Sequence, residues 1–234
     1  MLRLRNAESG RLEAVPAAPG QGLALRVPAP PEGSGTAGVL PGLLAADLIR
    51  RVLGRHRVRV LASYAATPPD GLNLYPPDEL ADHPTHRPTL LITWTDPPQA
   101  DATPFVIHPA LPDLPNSVVG EGDPLAVRLV LLGRHYTDPG AAGAANVAGA
   151  EKELGRWRDA VARWADSPSR PMCAEYLSRF TDACDDDLDT PTALRALRDL
   201  EADPELPDGA KFETFVHVDS VLGLDLMRDI GRPR

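Results

Sequence analysis

An α/β fold, with a small parallel sheet leading and an antiparallel helical bundle following, is predicted by three observations. Up to about Asn116 the chain offers short apolar runs separated by Pro, Gly and Asp, the texture of strands and turns. Within that stretch, strand, helix and strand at 22–27, 40–53 and 58–63 have the order of a βαβ unit, since two parallel strands need a crossover between them. From Asp123 onward apolar residues recur at helical spacing.

The elements follow in chain order. Candidate strands are Leu2–Arg5, Gly22–Val27, Val58–Ser63, Leu90–Trp94 and Phe105–His108. Leu40, Leu43, Leu44, Leu48, Val52 and Leu53 form one helical stripe, with Pro41 placed near the first turn, where a missing N–H costs least. The second half predicts helices near 123–136, 144–167, 171–187, 191–203 and 210–224. They are broken at Asp138-Pro139-Gly140, at Ser167–Pro171 and at Pro204–Pro207. Thr190 before Pro191 reads as a helix cap followed by a first-turn proline. Segments 16–35 and 95–118, rich in Pro, Gly and Ala, read as ordered loops or short linkers. Two domains are expected, 1–118 and 119–234.

Composition then removes several functions. The 234 residues include 24 basic and 33 acidic ones, a net charge of −9, which argues against coating nucleic acid or an anionic membrane. Residues 1–118 carry a net −1 and residues 119–234 a net −8, so the helical half holds nearly all the negative charge. Only Lys152 and Lys211 are lysines, and neither precedes Ser or Thr as a P-loop requires. The two cysteines, Cys173 and Cys184, cannot make a zinc ribbon or a disulfide framework, and read as buried thiols of a reducing cytoplasm. Met1–Gly10 lacks the apolar core of a signal peptide, and no apolar run is long enough to span a membrane.

Gly33-Ser34-Gly35-Thr36-Ala37-Gly38 fits GxGxxG just ahead of the 40–53 helix. Such a loop lets backbone N–H groups approach a phosphate at the positive end of a helix. A dinucleotide site also needs a strand directly before the glycines and an acid about 20 residues later. Here Pro28, Pro30 and Pro31 intervene after Val27, and the second strand closes on Leu61-Ala62-Ser63-Tyr64 without an acid. That disfavours a dinucleotide. A flexible turn entering a helix and a mononucleotide or other anion site both stay open.

A longer resemblance joins these pieces. Gly38-Val39-Leu40-Pro41-Gly42-Leu43-Leu44-Ala45-Ala46-Asp47-Leu48-Ile49-Arg50-Arg51-Val52-Leu53 resembles the segment GHARTFVAFDVLRRYL that follows the first signature of cysteinyl-tRNA synthetases. Leu2-Arg3-Leu4-Arg5-Asn6 resembles that family's first strand. Asp123-Pro124-Leu125-Ala126-Val127-Arg128, Leu131-Leu132 and His135-Tyr136 are similar to its DPEALR…LL…HY. The firmest match runs from Phe180 to Leu194, through Asp185-Asp186-Asp187-Leu188-Asp189-Thr190-Pro191, and is similar to FxEAMDDDLNTPxAL; Val221-Leu222-Gly223-Leu224 resembles the closing LGLL. The matches keep the family's order over about half of the chain. The resemblance implies a Rossmann-like, HUP-type sheet domain with the helical bundle attached.

The departures bear on function. The family's HIGH motif, which holds the ATP phosphates, aligns with Thr36-Ala37-Gly38-Val39, without its histidines. No KMSKS lysines precede Asp123, although that loop stabilises the developing charge on pyrophosphate. The first zinc cysteine falls near Val27, and the span from Ser63 to Gly122 is too short for the rest of the zinc ligands and the WHIECS stretch. A mycothiol-pathway cysteine ligase of the same ancestry keeps HIGH and zinc, so the chain departs from it equally.

Other clusters read as structure. Asp185-Asp186-Asp187 is taken as a solvated helix end rather than a cation site, because consecutive helical residues diverge by about 100°. His83 and His86, flanked by Pro84 and Pro88, are loop residues rather than a ligand pair. His135 and Tyr136 read as packing on a helix. Arg50, Arg51, Arg55, Arg57 and Arg59 read as a solvated helix end plus outward strand positions, with the acidic bundle as the partner if one binds there.

The expectation is a degenerate cysteinyl-tRNA synthetase-like protein of the cytoplasm, with aminoacyl-adenylate chemistry lost or weak. For any catalysis that persists, the resemblance implies ATP and a small amino acid as ligands, with the phosphates at Gly33, Gly35, Thr36 and Gly38, whereas the departures from the family imply no zinc. The alternative is a non-catalytic binding or regulatory module that partners a synthetase or a biosynthetic enzyme. Binding of tRNA is disfavoured by the −8 helical half.

Overall fold

A computed structural model describes residues 1–6, 9–16, 22–78, 89–94, 105–110, 114, 122–140 and 143–232. Four strands, β3 (Gly22–Val27), β4 (Arg59–Tyr64), β5 (Leu90–Ile92) and β6 (Phe105–Ile107), form one parallel sheet in the order β4-β3-β5-β6. The sequence places all four within a residue or two. The βαβ unit is present: β3 runs into α1 (Gly35–Arg55), which returns the chain to β4 with Leu23 beside Val60 and Leu25 beside Ala62. After β4 the chain crosses to the far side of β3, so Leu25 also faces Leu90 of β5. The alternation of β3 and β4, exposed at Gly22 and Arg59 and buried at Leu23 and Val60, fits a sheet covered on one face by α1. The triplets of β5 and β6 are buried throughout.

The opening strand lies elsewhere. β1 (Arg3–Arg5) pairs antiparallel with β2 (Leu12–Ala14) in a separate two-stranded sheet, and an isolated bridge from Asn6 to Phe105 links it to the main sheet. Three residues without clear alternation left β2 without a periodic signal.

α1 begins earlier than its leucine stripe suggests, because Gly35-Thr36-Ala37-Gly38 wind into its first turn and Pro41 therefore falls in the second. From Leu40 to Leu53 it is buried almost all round, pressed on the sheet by one side and on the helical half by the other. That half contains α2 (Pro124–Leu132), α3 (Ala144–Trp164), α4 (Ala174–Asp185), α5 (Thr190–Ala202) and α6 (Asp208–Leu222). The breaks fall where Pro and Gly cluster. Asp123 caps α2, its Oδ1 accepting from the Leu125 N–H at 3.0 Å. The α5 cap is Asp189 rather than Thr190: Asp189 Oδ1 accepts from the Thr192 N–H at 3.1 Å, and Thr190 is the first helical residue. α2 packs on α3 and α4 on α5, while α6 touches α1, α3, α4 and α5. In the centre, Phe215 meets the rings of Trp157 and Trp164 edge-on, with centroids 6.0 and 5.2 Å away. One buried apolar cluster runs from Leu2 through α1 to Leu226, so both halves share a core. The expected boundary near residue 118 lies outside the described residues.

Candidate functional site

In open parallel sheets ligands meet the carboxyl edge, at the point where strand order reverses. Here that point lies between the ends of β3 and β5. The sequence-predicted residues Gly33, Gly35, Thr36 and Gly38 stand at this edge, in the turn that leaves β3 and opens α1. Gly33 and Gly35 adopt left-handed backbone, φ +82° and +60°, which glycine reaches at little cost. Gly35 and Thr36 are exposed and Gly38 is half-buried. Gly38 has a local reason of its own: a Cβ there would come within 2.6 Å of Ser34 Cβ. Ser34 does not cap the helix; its Oγ donates to the Pro31 carbonyl at 2.7 Å. The first turn carries no acidic residue, and Ser34 at its N-cap position makes no side-chain capping bond.

Beside this turn stands Trp94, at the end of β5. Its Nε1 donates to the Pro28 carbonyl at 3.3 Å, spanning the gap between the ends of β5 and β3. The far edge of the indole lies on α1 at Gly42, where a Cβ would overlap the ring. An open cleft of about 490 Å³ flanks the end of β4, walled by Pro68, Pro69, Pro76 and Pro77 with Asp70, and among the described residues no cationic side chain lines it. Neither lysine is near: Lys152 is in α3, and Lys211 in α6 donates to the Glu201 carbonyl at 2.8 Å and sits over the Trp164 ring.

The arginine run behaves differently from the expected solvated helix end. Arg57 and Arg59 are exposed. Arg51, however, is buried and joins Asp47 and Arg128 in a polar knot between the halves. Asp47 Oδ2 accepts from Arg51 Nε at 2.8 Å and from Arg128 Nη2 at 2.6 Å, and its Oδ1 accepts from the Tyr75 N–H at 2.9 Å. Arg128 also donates to the carbonyls of Leu222 (2.6 Å) and Leu72 (3.0 Å), and Arg51 to those of Ser220 (2.9 Å) and Asn73 (2.7 Å). Two guanidiniums thus close the C-terminal end of α6, where a helix favours positive charge. Burial pulls the Arg128 pKa below its ordinary value, against the opposing pull of Asp47. Arg50 is half-buried too, donating to the Pro76 carbonyl at 2.6 Å and pairing with Asp78 at 3.2 Å.

The three aspartates at 185–187 form a solvated helix end only at Asp186, which is half-exposed, while Asp185 and Asp187 are largely covered. α4 stops at Asp185, and Asp187 and Leu188 take left-handed backbone, φ +55° and +57°, which fans the carboxylates apart. Asp185 accepts from the Met1 amine at 2.9 Å and binds His56 Nε2 at 2.8 Å; Asp186 pairs with Arg3 at 2.8 Å; Asp187 accepts from Tyr136 Oη at 2.8 Å. Each acid therefore ties α4 to a different element. His135 and Tyr136 lie in the turn after α2 rather than on a helix, where His135 Nε2 also meets the Asp187 carbonyl at 2.9 Å. They help wall an apolar pocket of only about 30 Å³ with Leu44, Leu48, Leu131 and Leu188, which agrees with packing. Burial, then Asp187, raises the Tyr136 pKa and keeps its phenol neutral.

A second knot sits behind α2. Asp123 accepts from Arg158 Nη1 at 2.5 Å and pairs with Arg228 at 3.1 Å. Burial works against its ionisation, but these cations and the Leu125 N–H outweigh it and hold the carboxyl below its usual range. Both cysteines are buried free thiols, and burial pushes Cys184 up to about 12. His83 and His86 lie outside the described residues. Among the described residues no group of three His, Cys, Asp or Glu is placed to hold a metal ion, and no helix is long and apolar enough to cross a membrane.

The parallel sheet with a glycine turn opening its first helix, followed by helices, defines an α/β Rossmann-like protein. No family model matches the chain. It is similar to enzymes named L-cysteine:1D-myo-inositol 2-amino-2-deoxy-α-D-glucopyranoside ligase. The protein of Streptosporangium roseum is 40% identical over 111 residues, 45% of this chain and 26% of the relative. That of Thermobispora bispora is 42% identical over 108 residues (45% and 25%), and that of Geodermatophilus obscurus 40% over 115 residues (46% and 26%). The matches span about a quarter of the length of these relatives. The resemblance to cysteinyl-tRNA synthetases thus holds only at a coarser level: over somewhat less than half of its length the chain is similar to ligases named for cysteine and an amino-sugar inositol, not for tRNA. The sequence reading missed Asp47, Arg128 and Trp94. An acid inside an otherwise apolar helical stripe is a sequence signal for Asp47; Arg128 and Trp94 had none of their own.

Proposed function

We propose that this chain is a degenerate relative of cysteine ligases that no longer forms an aminoacyl-adenylate. The observation that carries the reading is the carboxyl edge of the sheet. Adenylation drives negative charge onto a departing pyrophosphate, and pre-placed cations are what lower that barrier. Both lysines of the chain are committed to the helical half, the first turn of α1 reads Thr36-Ala37-Gly38-Val39, and the adjoining cleft is walled by prolines and an aspartate. What remains toward a nucleotide is the glycine turn at the start of α1, where Gly33, Gly35, Thr36 and Gly38 would face phosphates through backbone N–H groups. Beside it the indole of Trp94 lies between the Pro28 carbonyl and Gly42, where it would compete with a nucleoside base.

The test is exchange of labelled pyrophosphate into ATP with each of the twenty amino acids, together with a search for a product joining cysteine to the amino-sugar inositol named for the relatives. Neither exchange above blank nor product is expected. Exchange that depends on cysteine would overturn the reading.

A further inference from the structure

The indole of Trp94 has an unusual seat. It leaves the end of β5, crosses the switch point and meets the carbonyl that follows β3, with Nε1 3.3 Å from the Pro28 oxygen. On its other side it needs Gly42. A glycine in a helix interior weakens the helix, yet any larger residue there would run its Cβ into Cη2 of the ring, and Ile92 Cγ2 already lies 3.2 Å from where that Cβ would be. The helix thus carries a flat notch, a backbone acceptor stands opposite, and a planar ring with one N–H donor lies between them. Trp94 is half-buried.

Such a seat suits any planar heterocycle with a donor on its edge, and the exocyclic amine of adenine would meet the Pro28 carbonyl as the indole N–H does. We propose that Trp94 is a built-in occupant of the switch-point crevice, holding the place of a nucleobase and keeping one out. This rests on the reading of the chain as having lost adenylate chemistry and supplies one physical cause of that loss.

The experiment compares the wild-type chain with Trp94→Gly, using adenosine as the probe and indole as its competitor. Adenosine is expected to raise the melting temperature of Trp94→Gly in a saturable way and to leave the wild type unmoved, because a ligand selective for the native state stabilises it. Indole should reduce that adenosine response. A folded Trp94→Gly that gains no adenosine binding overturns the proposal, even if it takes up indole. Should Trp94→Gly not fold, Gly42→Ala decides: the added methyl should expel the ring, red-shifting the fluorescence and raising its quenching by acrylamide, while Trp157 and Trp164 stay buried and unfolding stays cooperative. Unchanged fluorescence in Gly42→Ala would equally overturn it. Pyrophosphate exchange by the wild type bears on the functional reading alone, whereas the adenosine and fluorescence results decide the role of Trp94.

Discussion

Replacing Arg128 by Met keeps the length and packing of the side chain and deletes its charge and donors. The guanidinium is fully buried, holds Asp47 Oδ2 at 2.6 Å, and satisfies the carbonyls of Leu222 and Leu72. Removing one member of a buried ion pair costs about 3–5 kcal/mol, because the partner charge stays behind in a poor solvent. Each abandoned carbonyl adds about 1 kcal/mol. Arg51 still holds Asp47 at 2.8 Å, which offsets part of the loss. The net expectation for Arg128→Met is therefore about 3–5 kcal/mol, or roughly 6–20 °C in Tm at the 2–4 °C per kcal/mol typical of chains this long. Arg128→Lys should lose most of the same amount, since one ammonium cannot reach the carboxylate and the carbonyls together. Urea denaturation gives the free energies, and a double-mutant cycle with Asp47→Asn isolates the pair. A loss below about 1 kcal/mol, or a coupling near zero in the cycle, would refute the account of this knot.

Two further outcomes are expected. The depressed pKa of Asp123 means that its carboxylate stabilises the fold above the ordinary carboxyl pKa, and that this stabilisation is lost as pH falls through the lower folded value. Asp123→Asn should accordingly cost about 2 kcal/mol at pH 7, by loss of charge-assisted hydrogen bonds, and the gap to wild type should narrow in acid; a gap that stays constant with pH would be contrary. Cys184, 1% exposed and pushed up to about 12 by burial, should resist a thiol-specific reagent at pH 8 in the native protein and react only as fast as the chain opens. Prompt labelling of both cysteines without denaturant would contradict its placement.

The parts of the fold that repeat along the sequence were legible. Alternation gave β3 and β4, helical spacing gave α1 through α6, and the Pro and Gly clusters marked their ends. What a local pattern cannot carry was missed. Asp47 and Arg128 are far apart in the chain and meet only because α1 and α2 lie side by side. Arg51 belongs by its position to a basic run, but α6 and the segment around Asn73 cover it. Asp185, Asp186 and Asp187 look alike in sequence, and the left-handed turn at 187–188 sends them to three different partners. The glycine turn was found because glycine spacing is itself the signal. Trp94 was not, since a lone tryptophan at a strand end says nothing about what its ring will cover.

The left-handed Gly223 that ends α6 presses against both guanidiniums of the central knot; a Cβ there would lie 2.9 Å from Arg128 Nη2 and 3.1 Å from Arg51 Cζ. Severing the polypeptide between β6 and α2 would therefore not release two self-sufficient pieces. The amino-terminal fragment would keep Asp47 without Arg128 and leave the Leu72 carbonyl bare, and the carboxy-terminal fragment would keep Arg128 without its carboxylate and lose the Arg51 donor at the Ser220 carbonyl. Anyone dissecting this molecule by truncation should expect the fragments to need each other, and to reassemble around that glycine when mixed.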